Sequence, residues 1–200
     1  MKMFTGFKSE APTTAFPMLP AGTYVAAIKN VKVDGNAPDQ QLVLRLDIIE
    51  GDQTAYYTRR YEHDSKNAGN YPAKYKGDLR IQIPDPQNHK RIHPEWDTKA
   101  FNNAMYAIEN SNKGIRFDWD AIFAGDFVFL KGKTVGINVR DATYNGASYT
   151  TIGRLEVADD VRSGAVKTMP PKKERETPAP EAQPAAAPGF TVVDMDDLPF

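Results

Sequence analysis

The chain has 200 residues, of which 40% are hydrophobic, enough for one sizeable core but not for two. It contains no cysteine, which excludes disulfide bonds and thiolate metal sites. The formal net charge at pH 7 is −1, so charge alone neither requires nor excludes a nucleic-acid partner. No apolar run approaches the roughly 18 residues of a membrane span, and no apolar signal region opens the chain. We therefore expect a soluble, cytoplasmic protein.

The first part of the chain predicts an irregular arm and two strands. Three prolines interrupt the scattered apolar residues of the arm, residues 1–20. Residues 23–33 are rich in Val, Ile and Tyr, which favours a first strand. Residues 41–50 alternate with a period of two, which predicts a second strand with one buried face. That face carries Leu42, Leu44, Leu46 and Ile48.

A third strand is predicted for residues 54–61, and its alternation defines two faces. Residues 62–96 then form a long irregular connection, with a possible short strand at 79–83. Connections of this length in compact domains are usually functional or disordered. One face of the third strand carries Tyr57, Arg59 and Tyr61, and the other carries Tyr56, Thr58 and Arg60.

Two helices and two strands complete the predicted body. A helix capped by Asp97 or Thr98 is indicated by apolar residues at helical spacing, and a shorter helix spans 118–125. Strands at 134–140 and 149–157 flank Asn145-Gly146, a strong hairpin signal. The apolar residues of the first helix are Phe101, Met105 and Ile108.

The order of these elements predicts a mainly β fold with one or two helices. Three strands, a helical connection and two more strands are typical of an OB-fold-like five-stranded barrel, which often binds oligonucleotides. Ubiquitin-like and other small α+β folds use similar orders and remain alternatives. The predicted organisation is an arm (1–20), a β domain (21–163), a disordered Pro- and Ala-rich linker (164–193) and an acidic tip (194–200).

The tip places three acids directly before an apolar end. Together with the α-carboxylate it carries four negative charges. Such a tip suits a shallow apolar pocket rimmed by Lys or Arg, where the ring and the leucine fill the pocket and the acids pair with the rim. Its candidate partner-binding residues are Asp194, Asp196, Asp197, Leu198, Pro199 and Phe200.

The sequence Asp196-Asp197-Leu198-Pro199-Phe200, placed after a linker, resembles the C-terminal peptide of bacterial single-stranded DNA-binding proteins. Phage-encoded proteins of this kind often end in an acidic tail with a terminal Phe. The body is less similar to the bacterial family and looks more like divergent phage proteins that begin with a segment like residues 19–24. The resemblance implies single-stranded DNA binding in replication or recombination, partner proteins recruited through the tip, and no cofactor or catalytic site. A homo-oligomer is possible in such a family.

Aromatic and basic side chains interleave in the predicted third strand and the connection after it. Single-stranded nucleic acid presents flat bases and a charged backbone, so a binder with little sequence preference needs aromatic platforms beside cations. Residues 58–93 hold eight cations against four acids. An alternative is that the tyrosines pack in the body and the loop is merely solvated. The candidate DNA-binding residues are Tyr56, Tyr57, Arg59, Arg60, Tyr61, Lys74, Tyr75, Lys76 and Arg80.

Two other classes of function are alternatives to DNA binding. The first is an adaptor that docks through its tip and binds no nucleic acid. The second is a metal-dependent nuclease, because His89 and His93 have a spacing that can share a metal on a helix, with His63 and Asp64 nearby. Prolines bracket that pair, so we expect neither a metal site nor an enzyme. Gly132-Lys133-Thr134 lacks the earlier glycine of a phosphate-binding loop.

The tail also suggests a switch. A flexible linker of about 30 residues holds the acidic tip at an effective concentration of about a millimolar around its own body. The tip is expected to occupy a basic groove until DNA displaces it and frees the tip for partners.

Overall fold

A computed structural model describes residues 15–68, 71–85, 94–114, 116–118, 120, 122 and 124–172. Its strands are β1 (Gly22–Asp34), β2 (Gln41–Ile48), β3 (Asp78–Gln82), β4 (Thr134–Tyr144) and β5 (Ala147–Glu156). Its helices are α1 (Tyr56–Lys66), α2 (Pro94–Ser111) and α3 (Ala158–Arg162), and Val128–Leu130 form a 3₁₀ turn.

The five strands form one antiparallel sheet in the order β3-β2-β1-β4-β5. The long central strand β1 pairs with β4 through residues 22–27 and with β2 through residues 26–34. The predicted fold class, mainly β with a helical connection, is confirmed. The sheet does not close into a barrel, because β3 and β5 remain edge strands within the described residues. Helix α2 contacts both edges and covers the seam that a closing strand pair would occupy.

The core lies between the inner face of the sheet and helix α2. Leu42, Leu44 and Leu46 of β2 are fully buried, as their alternation predicts. Met105 and Ile108 of α2 are equally buried and belong to the same cluster. The helix begins at Pro94, before the predicted cap, and the Thr98 hydroxyl instead donates to the Pro94 carbonyl within it. The apolar spacing therefore predicted the helix correctly but not its start.

The predicted third strand at 54–61 is wrong, because this segment forms helix α1. The buried carboxylate of Asp47, on β2, accepts hydrogen bonds from the Tyr57 N–H at 3.0 Å and from the Thr58 hydroxyl. It thereby satisfies one of the backbone N–H donors that the first turn of the helix leaves open. The Tyr56 hydroxyl accepts from the Leu19 N–H and donates to the Pro17 carbonyl, both at 2.8 Å. These long-range contacts override the local strand preference of the tyrosines.

The third strand is instead the short segment at 78–82, which pairs with β2 from Gln41 to Arg45. The hairpin at Asn145-Gly146 is present, and both residues have positive φ, 51° and 75°, as a two-residue turn of this type requires. The short helix predicted at 118–125 is represented by helical hydrogen bonds, among them Ala124 N–H to Asp120 O at 2.9 Å.

The folded body extends past its predicted end at residue 163. Residues 165–172 pack against β4 through the fully buried amide of Asn138. Its Nδ2 donates to the Lys167 carbonyl at 2.9 Å, and its Oδ1 accepts from the Met169 N–H at 3.0 Å. The Lys172 N–H donates to the Asp141 carbonyl at 2.8 Å. The predicted linker therefore contributes its first residues to the body, and its remainder lies outside the described residues.

Candidate nucleic-acid interface

Three tyrosines, two from α1 and one from the segment between α1 and β3, meet beside β2. Tyr57 and Tyr61 lie four residues apart and so share one side of α1. The ring centroid of Tyr75 lies 5.9 Å from that of Tyr61 and 6.3 Å from that of Tyr57. The Arg45 guanidinium lies 4.7 Å from the Tyr75 centroid, within cation–π distance. We call Arg45, Tyr61, Lys74, Tyr75 and Lys76 the tyrosine surface.

Tyr75 is held rigidly within this surface. Its hydroxyl donates to the Leu46 carbonyl at 3.0 Å. Gly77 has no room for a side chain, because an added Cβ would lie 2.7 Å from Tyr57 Cγ and 2.8 Å from Tyr75 Cε1. The half-buried Tyr75 ring is therefore a fixed floor beside the exposed ring of Tyr61.

Arg45 was not among the predicted site residues. Its Nε and Nη2 donate to the two carboxylate oxygens of Asp78 at 3.0 and 3.2 Å. The hydrogen bonds that Arg45 donates to Asp78 raise the pKa of Arg45, so it carries its charge at every working pH. The signal was present in the sequence, because Arg45 is a cation on the face of β2 opposite the four buried apolar residues.

The structure divides the nine predicted DNA-binding residues into those with structural contacts and those with exposed side chains that form no salt bridge among the described residues. Tyr56 and Tyr57 belong to the core, with 2% and 5% of their surface exposed, so neither ring is free to stack on a base. Arg60 Nη1 donates to the Tyr56 hydroxyl at 3.3 Å, and its Nε lies 3.7 Å from Asp64. Arg80 Nη1 donates to Asp34 at 2.7 Å. These four residues have structural contacts that the sequence did not indicate.

Four of the other predicted residues are exposed: Arg59, Tyr61, Lys74 and Lys76. Within the described part of the chain, none of the three cations forms a salt bridge. Arg59 lies two residues before Tyr61 in a helix, so the two side chains are about 200° apart around its axis. The common face predicted for Tyr57, Arg59 and Tyr61 is therefore wrong, and Lys74 and Lys76 are exposed cations that flank Tyr75 along the chain.

A groove lies along the open seam of the sheet. It has a volume of about 790 Å³ and is lined by β3, α2 and β5. Trp96 and Tyr106 of α2 are 64% and 62% exposed and lie on its wall. Sequence reasoning missed this groove, although Trp96, Lys99, Asn103 and Tyr106 repeat at spacings of three, four and three beside the buried stripe of the helix.

The histidine and tip predictions are only partly covered by the structure. His63 Nδ1 lies 3.3 Å from Asp64 Oδ1, and the His63 ring contacts Phe16. His89, His93 and the tip residues 194–200 lie outside the described residues. Among the residues that are described, no three metal-ligating side chains come together.

The buried tyrosines make stability sensitive to alkaline pH. Burial raises the pKa of Tyr75 from 10.0 to about 12, and burial also raises the pKa of Tyr57. The unfolded chain therefore loses these protons first as the pH rises. The stabilising effect of the protonated rings is complete below pH 10 and is lost as the pH approaches 12.

We expect the urea midpoint to fall over this range, and ultraviolet titration to show tyrosines that ionise late. Tyr75→Phe should weaken the pH dependence of the midpoint. An unchanged pH dependence in Tyr75→Phe would contradict the assignment to this ring.

No described helix is long and apolar enough to cross a membrane. Comparison of the chain with protein-family models and with curated proteins finds no match.

Proposed function

We propose that this protein binds single-stranded DNA with little sequence preference and recruits replication or recombination proteins through its acidic tip. The observation that supports this most directly is the tyrosine surface. An exposed ring, Tyr61, lies beside the fixed ring of Tyr75, whose chain neighbours Lys74 and Lys76 are exposed and form no salt bridge among the described residues. The resemblance of the tip to that of phage and bacterial single-stranded DNA-binding proteins supports the same proposal.

Each side chain makes the kind of DNA contact that its chemistry allows. A base of a single strand stacks on Tyr61, which contributes about 1–3 kcal/mol. Lys74 and Lys76 neutralise phosphates on either side and release counterions. Tyr75, fixed by Leu46, Gly77 and Arg45, prevents the exposed ring from collapsing onto the sheet. In a duplex the faces of the bases are already stacked on one another. A duplex therefore makes the contacts between lysines and phosphates but cannot stack a base on Tyr61.

The test is fluorescence anisotropy with labelled oligo-dT and a matched duplex over a salt series. The full-length chain and a chain ending at Val193 are compared. We expect tighter binding of oligo-dT than of duplex, a moderate salt dependence because the body is nearly neutral, and tighter binding at low salt without the tip. If neither form binds oligo-dT, the proposal fails, and the tip must then serve an adaptor that binds no nucleic acid.

A further inference from the structure

We propose that the groove between β3, α2 and β5 is a second contact site for the same single strand, in which bases stack on Trp96 and Tyr106. This inference rests on the proposed function and adds to it a surface on the opposite side of β3. The groove exists because the sheet stays open and because α2 has small side chains, Ala100, Ala104 and Ala107, where it faces the seam.

The wall of the groove has the composition that stacking requires. Trp96 and Tyr106 are ten residues apart in α2, which separates them by about 15 Å along the axis. Lys99 and Asn103 lie between them on the same side of the helix. Lys99 is exposed and forms no salt bridge within the described residues. Two rings with a cation between them match a run of bases joined by phosphates.

The floor of the groove contains a polar group with unmet hydrogen-bonding capacity. Nε2 and Oε1 of Gln82, on β3, are buried and lack a hydrogen-bond partner in the described structure. A buried amide in this state is costly. A base edge offers donors and acceptors together, which is what a Gln amide pairs with. A rotation of the Gln82 side chain into the cavity that it lines would let the edge of a bound base satisfy both atoms.

The charges of the residues that line the groove balance one another, so an uncharged part of a ligand fits the groove better than a charged part. Three cations among the lining residues are balanced by three acids. Arg80 and Arg154 are already paired, with Asp34 and Glu156 respectively. A strongly acidic or basic peptide would therefore gain little here. A base is uncharged, and its phosphate can remain at the rim near Lys99.

Strand β3 connects this groove to the tyrosine surface. Asp78, at one end of β3, holds Arg45 beneath Tyr75. Leu79 to Gln82, the rest of the strand, line the groove. A single strand stacked on Tyr61 can therefore continue across β3 and enter the groove.

The test uses the full-length chain with oligo-dT long enough to reach both surfaces. Trp96→Ala should weaken binding about tenfold, within the range of one lost stacking contact. Trp96→Phe should keep most of the affinity, because it retains a ring. Tyr144→Ala, which removes a ring of similar exposure on the β4–β5 hairpin turn, is the matched control and should have little effect. Oligo-dT should also quench tryptophan fluorescence less in Trp96→Phe than in the unaltered chain.

The outcomes separate this inference from the proposed function. If the unaltered chain binds oligo-dT but Trp96→Ala binds equally well and the quenching does not depend on Trp96, the groove site is ruled out and the tyrosine surface stands. If the unaltered chain binds no oligo-dT, both proposals fall. Circular dichroism of each variant confirms that the exposed positions leave the fold intact.

Discussion

Asp47→Ala is expected to lower the free energy of unfolding by about 3 kcal/mol. The carboxylate is 2% exposed and accepts hydrogen bonds from Ile48 N–H, Tyr57 N–H and the Thr58 hydroxyl. Alanine leaves these buried donors without an acceptor. It also releases the start of α1, the helix that carries Tyr61. Urea denaturation followed by circular dichroism measures the loss.

Two variants show whether the cap or a general loss of charge is responsible. Asp47→Asn keeps an oxygen that can accept from both N–H groups, so its loss should be about 1 kcal/mol. Asp52→Ala removes an exposed acid from the turn before α1 and should change stability by less than about 0.5 kcal/mol. If Asp47→Ala is no worse than Asp52→Ala, then Asp47 does not hold the helix in place.

Reversing the charges of Lys74 and Lys76 together is expected to weaken binding of oligo-dT about 100-fold at low salt. Each substitution to Glu removes an attraction to a phosphate and adds a repulsion. The slope of log K against log salt should also become shallower by about 1.4, the value for two phosphate contacts on a single strand. Anisotropy titrations at several salt concentrations give both quantities.

The matched control reverses Lys167 and Lys172, which changes the net charge equally. Both are exposed in the segment that packs against β4, away from the tyrosine surface on β2. This control should weaken binding only slightly and leave the slope nearly unchanged. Equal losses from the two pairs would mean that net charge, rather than the tyrosine surface, drives binding.

In the proposed function, two contact surfaces let a nearly neutral body bind a polyanion by stacking as well as by charge. Three of its exposed aromatic rings, Tyr61 on α1 and Trp96 and Tyr106 on α2, lie on two sides of β3. Stacking is largely independent of salt, whereas phosphate neutralisation is not. Binding by such a protein should therefore persist at salt concentrations that release a strongly basic binder.

The sequence has a local signal for all five strands, including β3, which it indicates as a possible short strand at 79–83. The alternation in β2 and the turn at Asn145-Gly146 depend on the pleat and on backbone conformation, not on distant residues. The buried stripe of α2 likewise follows from the helical period of its apolar residues.

The tertiary structure decided the candidate site. Residues 56–61 have the composition of a strand, but Asp47 caps them as a helix and Pro17 and Leu19 hold the Tyr56 hydroxyl in the core. Which tyrosine is exposed and which cation is free depends on partners far along the chain, such as Asp34 for Arg80. The open seam and its groove depend on where α2 packs. The sequence by itself thus determined the strands and the kinds of aromatic and charged side chain that are present. Long-range contacts determined which of those side chains are exposed and unpaired, and so able to bind a ligand, among the described residues.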